Sequence, residues 1–284
     1  MADDNAAAAA YCERQVRRLD PDRHFLAMLA PPDRRPALFA LYAFNQEIAA
    51  TREQVSERML GQIRLQWWRE AIDGIYAGTP RRHQVVQPLA AAIARHDLDR
   101  DLFERMIDMR ETDLDDAPPA DLAALERYAE GSSSTLAALA LKVLGVADPA
   151  AVPAARAVGI AWALTGLLRA VGHHARAKRL YLPADLMAAE GVRTGDLFEL
   201  RAAPGLPAVA RHVAEAAREQ IAAARVWRRD LPRTALPVLL QARMAELYLD
   251  RLRRRGDNPL DPEATRRPTL AAWQLTLSLL LGRY

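Results

Sequence analysis

Apolar residues return every three to four positions along most of this chain. That spacing places them on one face of a helix, so the pattern predicts helices throughout. No window shows sustained strand alternation with β-branched residues, and no unit repeats at a fixed period. The clearest stripe is Ile63, Trp67, Ala71 and Ile75, with Leu60 one turn earlier and Glu70 and Asp73 off it. It predicts a helix with Trp67 inward and Trp68 half exposed, stopped by Gly78-Thr79-Pro80. Pro31-Pro32 ends the segment before another helix, and Asp33 stands where a capping side chain would. Ala117-Pro118-Pro119 is a break, after which Asp121 caps a helical stretch running to about Gly145. Pro153 opens a long helix to about Arg176, and Pro183 ends the short segment after it. Further helices fit 207–229, 234–255 and 269–281.

Short linkers and the absence of a clean boundary favour one all-α domain over residues 11–284. The acidic, then Ala-rich, start reads as a disordered tail over 1–10, without the basic and apolar regions of a secretory signal. Leu270 to Leu281 is the longest apolar run near the C-terminus. Gln274, Thr276 and Ser278 interrupt it, and it is too short to span a bilayer.

Composition sharpens the picture in three ways. The chain has 284 residues, 51% of them hydrophobic, which is enough for a sizeable core. Its net charge of +3 has no concentrated basic stripe with interleaved aromatics, so a nucleic-acid partner is not expected. One cysteine, Cys12, allows neither an internal disulfide nor a multi-cysteine metal site, which suits a reducing compartment.

Two stretches carry the candidate chemistry. The first contains Tyr42-Ala43-Phe44-Asn45-Gln46, then Ala49-Ala50 and Glu53. The second contains Gly166-Leu167-Leu168-Arg169-Ala170-Val171-Gly172-His173-His174, then Arg176, Lys178, Arg179 and Tyr181-Leu182-Pro183. Gln66-Trp67-Trp68-Arg69-Glu70 and Leu125-Glu126-Arg127-Tyr128-Ala129 accompany them. Together these resemble the squalene/phytoene synthase family across roughly residues 11–190. The resemblance implies a single isoprenoid-synthase-type helical bundle around a central cavity. In that family each signature helix carries an Asp-rich motif that holds Mg²⁺ and a prenyl diphosphate. Here Ala49 and Ala50 replace the first Asp pair, Gln46 replaces an Arg, and only Glu53 keeps a carboxylate in register. Ala170, His173 and His174 replace the acids of the second motif.

A narrower resemblance runs through Phe44–Ala49, Val55-Ser56-Glu57-Arg58, Gly61–Trp68 and Arg110–Asp116. These are similar to the branch of the family that assembles mitochondrial complex I. That resemblance implies a non-catalytic, synthase-like protein needing no cofactor and acting on a complex I subunit or assembly partner, or on an isoprenoid or lipid ligand. It also implies a cytoplasmic location peripheral to the inner membrane in a bacterium, or the matrix side in a eukaryote. The alternative is an active prenyltransferase joining two prenyl diphosphates head to head. It would need Mg²⁺ at a rebuilt site, with Asp113, Asp116, Glu47 and Glu53 as the acids available.

Each candidate has a plainer reading beside the functional one. Tyr42, Arg169 and Tyr181 match positions lining the family's substrate cavity; they are either pocket residues or scaffold residues bonding neighbouring helices. The cluster Arg169, His173, His174, Arg176, Lys178 and Arg179 either binds phosphate or is a solvated helix end complementing the helix dipole. Adjacent histidines point about 100° apart on a helix, a poor arrangement for a metal pair. Asp113, Asp115 and Asp116 read as a solvated turn, and Ser132-Ser133-Ser134-Thr135 as a closely packed helix segment.

Overall fold

The computed structural model describes residues 2–55, 57–201 and 203–284, and Ser56 of the Val55–Arg58 motif lies outside them. Among the described residues there are helices and no strand. The first half holds α1 (Ala2–Leu19), α2 (Pro21–Met28), α3 (Arg35–Ala49), α4 (Arg58–Tyr76), α5 (Val86–His96), α6 (Arg100–Glu111), α7 (Leu122–Ala129) and α8 (Thr135–Val143). The second half holds α9 (Ala151–Arg169), α10 (Val171–Arg176), α11 (Ala184–Ala189), α12 (Thr194–Phe198), α13 (Leu206–Val226), α14 (Leu236–Arg254), α15 (Pro262–Thr265) and α16 (Ala271–Leu281). Helix α1 takes in residues 2–10 of the expected disordered tail, and Met1 lies outside the described residues. Alanine is the best helix former, and that preference outweighs the lack of an apolar stripe there.

The chain packs as two compact units. The first comprises residues 1–115, 135–155 and 229–238; the second comprises 116–134, 156–228 and 239–284.

In the first unit, α3 is the organising helix. It is apolar on nearly every side, and Ala37 through Asn45 and Ile48 are buried. Such a helix has to be enclosed, and α1, α5 and α8 pack against it. Phe44 meets Trp68 of α4 and Phe103 of α6 edge-on, at 5.3 and 5.5 Å between ring centres. That geometry suits the quadrupoles of the rings.

The expected stripe of α4 is rotated by one residue. Gly61, Leu65, Trp68, Ala71, Ile72 and Ile75 are buried, while Leu60 and Ile63 are exposed. Leu114 decides this. A Cβ at position 61 would lie 2.4 Å from Leu114 Cδ2, so the glycine must face inward to admit that side chain. Trp68 follows it into the core at 1% exposure, and Trp67 lies half-buried under the Arg81 guanidinium, 5.3 Å from its ring. Asp33 does not cap α3, whose N-cap position is Arg34 and which has no side-chain cap. Its carboxylate pairs instead with Arg34 and Arg95. Pro36 in the first turn lowers the need for a cap, because it has no N–H to satisfy. Cys12 is fully buried, and burial pushes its thiol up to about 12.

In the second unit, Asp121 caps α7 as expected, accepting from the Ala124 N–H at 2.6 Å. The chain then widens into a π-turn over Glu130–Ser134. The reason lies across from it on α9, where a Cβ on Gly159 would meet Ser134 Cα at 2.2 Å. Backbones touch at this point. Ser134 Oγ donates to the Arg156 carbonyl at 2.7 Å, and Arg156 grips the Glu130 carboxylate through two hydrogen bonds of 2.8 and 2.9 Å. The serine run is therefore packing, as its composition implies. Helix α9 is long and apolar enough to cross a membrane, but two-thirds of it is buried within the protein. Elsewhere in this unit, Arg225 of α13 holds Glu246 of α14 at 2.9 Å through both carboxylate oxygens, and Arg243 also donates to it. Burial alone would raise that carboxyl; the hydrogen bonds from the two arginines outweigh it and hold the pKa below its usual value.

Gly159→Ala should cost about 1–3 kcal/mol or more in urea unfolding, because the new methyl meets backbone that cannot yield. Gly166→Ala, with nothing within 4 Å of its Cβ, should instead gain about 0.5–1 kcal/mol. Glu246 contributes stability that is present above the unfolded-state pKa and is lost as pH falls through its lowered folded value. Glu246→Gln should flatten the acid side of the stability–pH curve, below about pH 4.5, and leave a lower plateau at neutral pH.

Candidate functional site

The first candidate stretch covers the second half of α3 and the 3₁₀ turn that follows it. Tyr42 is buried at 2% exposure with the Arg23 guanidinium 5.7 Å from its ring centre. Burial pushes its phenol up to about 12, so it is a neutral donor at physiological pH. One turn on, both amide atoms of Gln46 are buried with no hydrogen-bond partner among the described residues. Ala49 closes the helix and Ala50 is its C-cap. Glu53 sits on the exposed side of a single 3₁₀ turn, Arg52–Gln54, that follows.

Three acids of the first unit, Glu47, Asp113 and Asp115, are each engaged by an arginine. Glu47 pairs with Arg64 of α4 at 3.2 Å. Asp113, expected in a solvated turn, is buried and pairs with Arg110 at 3.3 Å, and Arg110 also donates to Asn45 Oδ1 at 3.4 Å. This ties the turn after α6 to α3. Its neighbour Asp115 is exposed and pairs with Arg58.

The second candidate stretch lies at the joint between α9 and α10, within the second unit. Arg169 stacks its guanidinium on the Tyr248 ring at 3.6 Å and donates to the Thr265 carbonyl at 3.4 Å. The hollow beside it, lined by Thr165, Leu168, Leu252 and Ala264, has a volume of about 10 Å³, room for about one water. Ala170 forms the joint, and helical hydrogen bonds continue through it from Ala170 N–H to Gly166 and from His174 N–H to Ala170. Tyr181 then lies between two rings, His174 at 4.7 Å and Tyr128 at 5.6 Å. His173, Arg176 and Lys178 are exposed at the helix end.

The squalene/phytoene synthase sequence profile matches residues 16–274. The chain belongs to the squalene/phytoene synthase family. A bovine relative, complex I assembly factor 6, is 32% identical over 274 residues, 96% of this chain and 82% of that protein. A presqualene diphosphate synthase of Sinorhizobium fredii is 26% identical over 213 residues, 75% of this chain and 76% of that one. Among solved structures, squalene synthase HpnC from Alicyclobacillus acidocaldarius aligns with a TM-score of 0.78 at 20% identity, covering 90% of this chain and 96% of that chain. That likeness establishes the all-α isoprenoid-synthase fold.

Squalene/phytoene synthases imply Mg²⁺, and the residues here do not fit it. Mg²⁺ requires hard oxygen ligands in near-octahedral geometry. The motif positions supply methyl groups at Ala49, Ala50 and Ala170 and imidazoles at His173 and His174. Among the described residues, no three His, Cys, Asp or Glu side chains gather where they could hold a metal ion. The partners that sequence reading missed are Tyr248, Tyr128 and the Arg110–Asn45 link. Tyr128 carried a signal, since it belongs to the Leu125–Ala129 motif. Tyr248 carried none, because only tertiary folding brings it under Arg169.

Removing one member of a buried ion pair strands the other charge, at about 3–5 kcal/mol. Asp113→Ala should therefore lower stability by about that amount in urea unfolding, with no change on adding Mg²⁺. A stability loss that appears only when Mg²⁺ is present would instead make Asp113 a ligand.

Proposed function

We propose that this protein is a complex I assembly factor that keeps the synthase scaffold and has given up synthase chemistry. The observation that carries the reading is the neutral or imidazole side chain at Ala49, Ala50, Ala170, His173 and His174. Ionising a prenyl diphosphate leaves several negative charges to be neutralised as the C–O bond breaks. Loss of a single group that stabilises such charge costs about 10²–10³ in rate, and here both motifs are affected together. The bovine relative supports the assembly half of the reading. Its action would be on a complex I subunit or an early assembly intermediate, through protein surface or a retained isoprenoid or lipid ligand. The face of the respiratory membrane where complex I is built would be its place of work: cytoplasmic in a bacterium, matrix-side in a mitochondrion.

Two experiments test the two halves. Purified protein given farnesyl or geranylgeranyl diphosphate with Mg²⁺ or Mn²⁺ should release no diphosphate above a buffer control. Release that vanishes in Glu53→Ala would establish a prenyltransferase with a rebuilt site. Deletion of the gene in its own host should lower assembled, NADH-oxidising complex I, with restoration by the Glu53→Ala form as well as the native one. Unchanged complex I after deletion would remove the assembly role.

A further inference from the structure

The C-terminal helix of the second unit has a face that the fold leaves in water. Ala271 and Leu275 of α16 are buried, while Leu270, Trp273, Leu277, Leu280 and Leu281 project outward, Trp273 with 68% of its surface exposed. At 100° per residue these five fall in one stripe opposite the buried pair. From Ala271 to Gly282 no residue is charged. A helix apolar on both faces is ordinarily enclosed, and a run of exposed leucines around a tryptophan marks a surface that meets something apolar.

Arginines line grooves at both ends of that helix. A groove of about 260 Å³ at its N-terminal end is lined by Leu247, Arg251, Arg254, Leu270 and Gln274. A second, of about 410 Å³ at its C-terminal end, is lined by Arg225, Arg228, Arg243, Ser278 and Arg283. Several of these arginines are engaged, Arg251 with Glu263 and Arg225 and Arg243 with Glu246. Arg228, Arg254 and Arg283 are exposed and form no ion pair among the described residues. Leu239 to Tyr284 holds eight arginines against five carboxylates, an excess equal to the +3 of the entire chain.

We infer that α16 docks the protein onto an anionic lipid bilayer, lying in the plane of the interface. Its leucines and Trp273 would enter the boundary between headgroups and acyl chains, and Arg228, Arg254 and Arg283 would meet lipid phosphates. The 11 residues of the helix cover about 16 Å, against roughly 30 Å of hydrocarbon, so it cannot cross. An uncharged apolar face bordered by arginines is the arrangement that interfacial helices use. Trp is a residue favoured at that depth. A second copy of the chain fits less well, because a two-fold contact through this face would bring the unpaired arginines of both copies together. The inference does not depend on the assembly reading and stands or falls on lipid binding alone.

Flotation with vesicles tests it. Native protein should float with phosphatidylcholine vesicles containing phosphatidylglycerol, float less with phosphatidylcholine alone, and detach as salt is raised. Trp273→Glu with Leu277→Glu should abolish flotation; both side chains are exposed, so circular dichroism should stay native. Arg228→Gln, Arg254→Gln and Arg283→Gln combined leave the apolar face intact and should weaken binding by about fivefold for each cation removed. On native protein, Trp fluorescence should shift to the blue with anionic vesicles, and the shift should be lost in Trp273→Phe. No preference for anionic vesicles, or flotation indifferent to both sets of variants, would overturn the inference. So would a dimer in sedimentation velocity that Trp273→Glu dissolves without any lipid binding, since α16 would then be a protein interface.

Discussion

An α-helix with apolar side chains all around it cannot stand at a surface, and α3 is such a helix. From Ala37 to Phe44 the chain offers almost no polar face, so α1, α5 and α8 must close over it. The aromatic contacts of Phe44 with Trp68 and Phe103 then bring α4 and α6 into place. None of this burial involves positions 49, 50 or 53, which lie past the enclosed stretch. The stability of the unit is thus uncoupled from the acids that a synthase would carry there. Replacing a pair of carboxylates by alanines even removes like-charge repulsion at a helix end whose dipole is already negative. A scaffold built this way can lose its metal chemistry without losing its shape.

In the second unit the motif stretch is held by a stacked guanidinium and a group of rings. Arg169 is turned onto Tyr248, a contact with more favourable energy when shielded from water. His174 and Tyr128 bracket Tyr181. Of these residues only His174 stands where the second motif of a synthase carries an acid; Arg169 and Tyr181 match positions that the family keeps. The interactions are local to the unit and need no ion to complete them.

Much of this was legible from the chain. Long periodic segments, proline stops and the cap at Asp121 located α7 to α10, α13, α14 and α16 to within a few residues. The motif positions exposed the missing carboxylates directly. What could not be read was rotation. Leu60, Ile63 and Trp67 form as good a stripe as Gly61, Leu65 and Trp68, and only the contact between Gly61 and Leu114 chooses between them. The same holds for Asp113, whose burial follows from Arg110 reaching back to α3. The helix over Ala2–Ala10 stands apart: its alanines favour helix by propensity alone, where the acidic, then Ala-rich, start reads as a tail.

Cys12 has a practical side. It is the chain's sole thiol, it is fully buried, and its raised pKa keeps it protonated under ordinary conditions. Thiol reagents attack the thiolate, so the native protein is chemically silent toward maleimides and iodoacetamides while folded. Any cysteine introduced at the surface would be the single reactive one. Spin labels or fluorophores can be placed on the otherwise natural sequence, and reaction at Cys12 itself becomes a clock for unfolding.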